Sequence, residues 1–280
     1  MQTTTTMIIT KDIFESIVST AVSSTDGIYE KLLPYFTSVE EQLTMELLGD
    51  ELAADLTVVP ALDRKVMELI CLRTFAEQIP FLDLILTDTG FGIVSNQNLA
   101  PASADRVQKL LQRCTDAYED TYDHVLYMLI GVPQWMDSEQ AQTNISSVIF
   151  TAKHLRLYTG KAAAHRAQMR ELRPLIYQAE EKVMEHLSAD FYLSIIEVIR
   201  HGNPTRKQSF IIDSICKFVG FCVVKDFISA KAALHRVIAF AETHAKEPEF
   251  ATYLASDIYK AKHLTPYENE KDHTTYFFGQ

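Results

Sequence analysis

Residues 103–131 read SADRVQKLLQRCTDAYEDTYDHVLYMLIG, and Val107, Leu110, Leu111, Cys114, Tyr118, Tyr122, Val125 and Leu129 recur along them at helical spacing. That spacing puts one apolar stripe on a helix of about seven turns ending near Gly131. Ser103 suits the N-cap, where its hydroxyl can accept a hydrogen bond from an orphan amide, and Asp105 suits the positive helix end. The flanking sequence offers further helices for the stripe to pack on.

Toward the N-terminus, Ile13, Phe14, Ile17, Val18, Ala21 and Val22 repeat at helical spacing until residues 23–27 break the pattern. A second helical stretch spans 28–48, and Pro34 divides or kinks it. A third covers 61–78, with Pro60 at its first turn and Leu62, Val66, Leu69 and Ile70 as its stripe. Pro80 closes it, and a short apolar run, 81–87, follows.

Toward the C-terminus, residues 131–144, GVPQWMDSEQAQTN, gather turn formers and polar residues and are the expected domain boundary. Trp135, the single tryptophan, is expected there as a plug between two packed halves. Beyond a short apolar segment, 146–158, a helix is expected over 161–187, its buried face made by Met169, Leu172, Leu175, Ile176, Ala179 and Val183. Pro174 kinks it or starts a new helix. Residues 191–200 and 208–245 form two or more helices, with a bend near Gly220 or Ser229. Residues 265–280 carry Pro266, several charges and the aromatics Tyr276, Phe277 and Phe278, which reads as an extended tail needing something to sit on.

The fold expected is therefore mainly α: two helical bundles with a short β-hairpin or extended loop near residues 85–99. Its parts would be an N-terminal helical extension, 1–60; a helical domain with the projecting loop, 61–135; a second bundle, 136–264; and the tail, 265–280.

The loop is the one place where another fold could enter. Residues 89–103, TGFGIVSNQNLAPAS, come within one residue of a Gly-x-Gly-x-x-Gly phosphate fingerprint. A dinucleotide site needs a helix opening at the third glycine, but Ser95 stands there and Pro101 blocks a helix start. Gly160-Lys161 fails as a Walker loop, being followed by Ala162 and lacking the earlier glycine. What remains is a loop or small hairpin in which Gly90 and Gly92 supply unusual dihedrals. Phe91, Ile93 and Val94 can pair or insert, and Asn96 suits a tight turn.

The 280 residues carry a formal charge of −11, which opposes non-specific contact with phosphate backbones. Nine glycines and nine prolines are few for this length and favour long helices. The opening MQTTTTMIITKD lacks a signal-peptide pattern and no apolar run reaches the roughly 20 residues that span a bilayer, so a soluble protein made inside the cell is expected, without a membrane partner. Cys71, Cys114, Cys216 and Cys222 are widely spread in apolar helical patterns and read as buried reduced thiols. The sequon at Asn144 then has no consequence.

Chemistry is hard to find in the pattern. No H-E-x-x-H pair, C-x-x-C pair or G-x-S-x-G elbow occurs, and Glu40-Glu41 and Glu180-Glu181 fit solvated helix faces. No catalytic, cofactor-binding or metal-binding residue is assigned. Lys153, Arg156, Lys161, His165, Arg166, Arg170 and Arg173 form the one basic concentration. It is either a solvated face balanced by Glu171, Glu180 and Glu181, or a stripe facing a phosphate, an acidic neighbour or a second copy.

Across residues 69–196 the chain resembles an uncharacterised family encoded in the virion structural gene clusters of tailed phages and prophages of gut Bacteroidales. Gly90, Phe91, Ser95, Asn96, Ala100, Pro101, Ala102 and Ser103 match its Thr-Gly-Phe loop and Ala-Pro-Ala-Ser helix start, and Leu172, Arg173 and Pro174 match a Leu-Arg-Pro element. The resemblance implies a non-enzymatic virion component: a ring-forming head-tail connector, adaptor or head-completion subunit, assembled in the host cytoplasm and placed at the head-tail junction. Its partners would be other copies, the portal and neck or tail proteins, with packaged DNA passing an acidic lumen without specific binding. Gly90, Phe91, Gly92, Ile93, Val94, Asn96, Tyr276, Phe277 and Phe278 are then the expected contacts, and residues 1–60 an added docking element. The alternative is a monomeric cytoplasmic helical module that holds an anionic ligand on the 153–173 stripe.

Overall fold

The structure is a computed structural model that describes residues 9–18, 27–59, 61–82, 84–87, 90–93, 103–161 and 165–264. It is mainly α-helical. In chain order the helices are α1 (Lys11–Ile17), α2 (Ile28–Leu43), α3 (Asp50–Ala53), α4 (Leu62–Gln78), α5 (Ala104–Leu129), α6 (Glu139–Asn144), α7 (Ala152–Thr159), α8 (Arg166–Leu187), α9 (Ala189–His201), α10 (Arg206–Val223), α11 (Phe227–His244), α12 (Ala251–Ala255) and α13 (Asp257–Lys262). Between α4 and α5 the backbone of β1 (Leu84–Thr87) runs antiparallel to β2 (Gly90–Ile93), Leu84 opposite Ile93 and Thr87 opposite Gly90.

The chain divides into two units, residues 1–173 with 198–203, and residues 174–197 with 204–280. The expected boundary at 131–144 is corrected by what those residues do. A π-helical turn, Thr44–Leu48, follows α2 and ends at Gly49, and the last carbonyls of a helix have no amide of a following turn to pair with. Side chains from 135–144 take them up. Gln140 Nε2 donates to the Met45 carbonyl at 3.1 Å, Asn144 Nδ2 to Glu46 at 2.8 Å, and Trp135 Nε1 to Leu47 at 2.6 Å. Trp135 is therefore a fully buried plug inside the first unit, and the stretch that reads as a linker is a clasp on the N-terminal helices. Residues 28–59 are likewise no extension: α2 packs on α4, and Leu43, Leu47 and Leu52 are fully buried.

The long helix meets its expectation in part. Val125 and Leu129 are fully buried and Cys114 and Tyr122 nearly so, while Val107, Leu110 and Leu111 stay partly exposed. Ser103 does stand at the N-cap with extended backbone, but its side chain makes no capping bond; its carbonyl takes the Arg106 and Val107 amides instead. Pro34 sits within continuous α2 and divides nothing, and Pro174 within continuous α8, where it marks the passage from one unit to the other.

Residues 198–203 join the first unit through a backbone contact. The Gly131 amide donates to the Arg200 carbonyl at 2.8 Å, and Gly131 and Gly202 both have left-handed φ, +77° and +73°. A Cβ on Gly202 would stand 2.7 Å from Ile130 Cγ2. Gly202→Ala is expected to cost about 2–3 kcal/mol, from a left-handed alanine plus the clash. Gly160→Ala, at φ +67° but with open space around it, should cost only about 1 kcal/mol. Equal urea midpoints for the two variants would contradict the contact.

In the second unit, the expected 208–245 segment is two helices. The break comes at Lys225, φ +62°, and Asp226 then caps α11 by accepting from the Ser229 amide, while Gly220 lies inside continuous α10. Thr205 and Gln208 start α10 with a reciprocal capping box. Phe191, Ile211, Ile215, Val219, Val237, Phe250 and Tyr253 fill this unit's core.

Candidate functional site

The charged chemistry of the first unit is concentrated along α5, where Asp116, Glu119, Asp120 and Asp123 fall at i, i+3, i+4 and i+7 and so share one face. Four residues of the basic concentration meet that face. Arg166 Nη1 lies 2.6 Å from Asp123 Oδ1, Arg170 Nη2 3.5 Å from Glu119 Oε1, Arg156 Nη2 3.7 Å from Asp120 Oδ1 and His165 Nδ1 3.6 Å from Asp116 Oδ1. Four of the seven basic residues of the stripe thus face acids of α5.

Two of these acids also start helices. Asp123 Oδ2 accepts the Ala152 amide at 2.8 Å at the head of α7, and Glu119 Oε2 accepts the Arg166 amide at 2.8 Å at the head of α8. A carboxylate at a helix N-terminus satisfies an orphan donor and faces the positive end of the dipole. Asp123 is only 5% exposed and Glu119 7%. Burial pushes the Asp123 carboxyl above its ordinary range, opposed by Arg166 and by the Ala152 and Lys153 amides. The Arg166 guanidinium also lies over the Tyr122 ring, 4.2 Å from its centroid.

Beside this seam an open groove of about 440 Å³ is lined by Asp120, Asp123, His124, Tyr127, Lys153 and Arg156. At its edge the Tyr127 hydroxyl lies 3.1 Å from both Thr151 Oγ1 and His154 Nε2. His154 Nδ1 is buried with no hydrogen-bond partner among the described residues. Burial, with Lys153 beside it, lowers the His154 pKa to about 4, so the ring is neutral at neutral pH. A depressed histidine stabilises the fold fully above its unfolded value near 6.5, and that stability is lost as pH falls through about 4. We expect unfolding free energy to drop by roughly 3 kcal/mol between those limits and the drop to shrink in His154→Phe, read by urea titrations at several pH values. A pH profile unchanged by the substitution would contradict the neutral assignment.

The carboxylates of this arrangement are engaged with helix starts and cations. Among the described residues no group of three or more His, Cys, Asp or Glu could hold a metal ion. All four cysteines are free, Cys222 being only half-buried, and burial pushes the Cys71 thiol up to about 12. No helix among the described residues is long and apolar enough to cross a membrane.

Of the expected contact residues, Gly90, Phe91, Gly92 and Ile93 form β2. Val94, Asn96, Tyr276, Phe277 and Phe278 lie outside the described residues. The acidic face of α5 escaped the sequence reading, although its spacing was visible beside the apolar stripe.

No curated protein and no solved structure matches the chain. Residues 28–145, which hold both halves of the clasp as well as the acidic face of α5, are similar to a family of unknown function, DUF6712.

Proposed function

We propose that the chain is a structural subunit that joins copies of itself into a ring, acting as a head-tail connector, adaptor or head-completion protein of a tailed bacteriophage. The observation that carries an assembly role is an apolar tip on an otherwise well-filled helical hairpin. At the turn between α10 and α11, Phe227 is 66% exposed, Ile228 87% and Val224 38%. Large side chains held in water on a rigid turn mark a surface that a partner covers. The resemblance of residues 89–103 and of Leu172-Arg173-Pro174 to virion proteins supplies the setting. Contacts between copies, and with the portal or neck proteins, are assigned to Gly90, Phe91, Gly92, Ile93, Val94 and Asn96 and to Tyr276, Phe277 and Phe278. The charge of −11 suits a lumen through which DNA slides.

The alternative, an anionic-ligand module, needs the 153–173 stripe for its ligand. Arg166 and Arg170 are already engaged with Asp123 and Glu119, which disfavours it.

Deleting residues 90–98 tests the reading. The expected product keeps its helical circular dichroism and melting temperature and no longer assembles. A deletion that unfolds the subunit, or one that assembles like the parent, would overturn the assignment of this segment to subunit contacts.

A further inference from the structure

We propose that the groove between α10 and α11 receives residues 265–280 of a second copy of this chain; the supply by a second copy, though not the groove itself, rests on the ring reading. The groove, about 290 Å³, is lined by Ser214, Lys217 and Phe221 from α10 and by Ser229, Ala233 and Arg236 from α11. Each set falls at three-, four- and seven-residue spacings, so each is one face of its helix. Serine and alanine keep the floor low. Because α10 and α11 are joined by a short turn, Phe221 and Ser229 lie at the turn end, next to the exposed Phe227 and Ile228, and Lys217 and Arg236 lie farther from it.

The groove is therefore cationic at one end and apolar at the other. Arg236 is exposed and makes no ion pair among the described residues; Lys217 pairs with Asp213 at 2.6 Å, an exposed i, i+4 contact that an incoming carboxylate can share. Residues 265–280, TPYENEKDHTTYFFGQ, carry the complementary order: Glu268, Glu270 and Asp272 against one cation, Lys271, and then Tyr276, Phe277 and Phe278.

The spacing agrees as well as the order. From Arg236 back to Phe227 is nine helical residues, about 13 Å. Asp272 and Tyr276 are four residues apart, and a bound tail in extended form would span about the same 13 Å. A carboxylate on Lys217 and Arg236 thus places the aromatic triplet over Phe221 and the apolar tip.

Two full-length variants test this. Lys217→Gln/Arg236→Gln has an altered groove and an intact tail, and Phe277→Ser/Phe278→Ser the reverse; the groove substitutions fall on exposed or half-exposed side chains and should leave the fold intact. A fluorescent peptide of residues 265–280 is titrated into the tail variant by anisotropy. Binding is expected to weaken with added salt and to fall about tenfold when the two groove substitutions are added to the same chain. At a protein concentration between the two peptide affinities each variant alone should be monomeric, and an equimolar mixture should form dimers and nothing larger, since one partner only donates a tail and the other only accepts one.

No peptide binding to the tail variant would overturn the groove assignment, whatever the unaltered chain's oligomeric state. Peptide binding by a chain that stays monomeric when unaltered would keep the groove, assign the tail to its own chain, and remove both the second copy and the ring.

Discussion

Trp135→Ala is expected to cost about 3–5 kcal/mol for the lost packing alone. The Leu47 carbonyl loses its buried donor in the same step, and an orphaned acceptor adds about 1–3 kcal/mol. Together these are comparable to the whole stability of an ordinary domain, so the first unit should be largely unfolded at room temperature. Trp135→Phe keeps most of the volume and loses only the donor. It should remain folded, with a urea midpoint lowered by the equivalent of about 1–3 kcal/mol. Circular dichroism with urea titration separates the two. A Trp135→Ala variant as stable as the parent would mean that the clasp on the π-helical turn does not hold the N-terminal helices in place.

The second large effect is expected at Asp123. Asp123→Ala strands Arg166, whose side chain is only 15% exposed, and removes the acceptor for the Ala152 amide. Breaking one partner out of a buried ion pair costs about 3–5 kcal/mol, because the remaining charge stays desolvated. Arg166→Ala in the same chain should relieve part of that cost. A double-mutant cycle is expected to give a coupling of about 1–3 kcal/mol between the two positions. Additive effects would contradict the seam as a coupled pair and leave Asp123 as a helix cap alone.

The apolar periodicities of 62–78 and of the second half of 103–131 were legible because the buried stripe repeats with the helix. The borders were less so. Residues 131–144 look like a linker because Gln, Asn, Ser, Pro and Gly serve loops, yet Gln140 and Asn144 use the same polarity to satisfy carbonyls of a π-helical turn about a hundred residues earlier. Only tertiary structure shows which role is taken. Proline left two readings open, a kink or a break, and Pro34 and Pro174 break nothing, since both stay inside helices. In the second unit, where a bend near Gly220 or Ser229 is expected, the chain turns between them at Lys225, a residue with no turn signature.

The seam was half legible. The basic residues of 153–173 stand out in the sequence, but Arg156, His165, Arg166 and Arg170 find partners among the acids of α5, tens of residues away. A charge run names its partner only when the helix that faces it is known. Asp116, Glu119, Asp120 and Asp123 at i, i+3, i+4 and i+7 were the available signal, masked by attention to the apolar stripe beside them.

Assembly is the central claim, and the mass of the full-length chain in solution tests it most directly. Sedimentation velocity from dilute to concentrated protein, alone and mixed with a tailed-phage portal protein, is the measurement. The expected result is a ring, or a stoichiometric complex with the portal. A strict monomer at every concentration that ignores the portal would contradict the claim and return the chain to the class of ligand-binding helical modules.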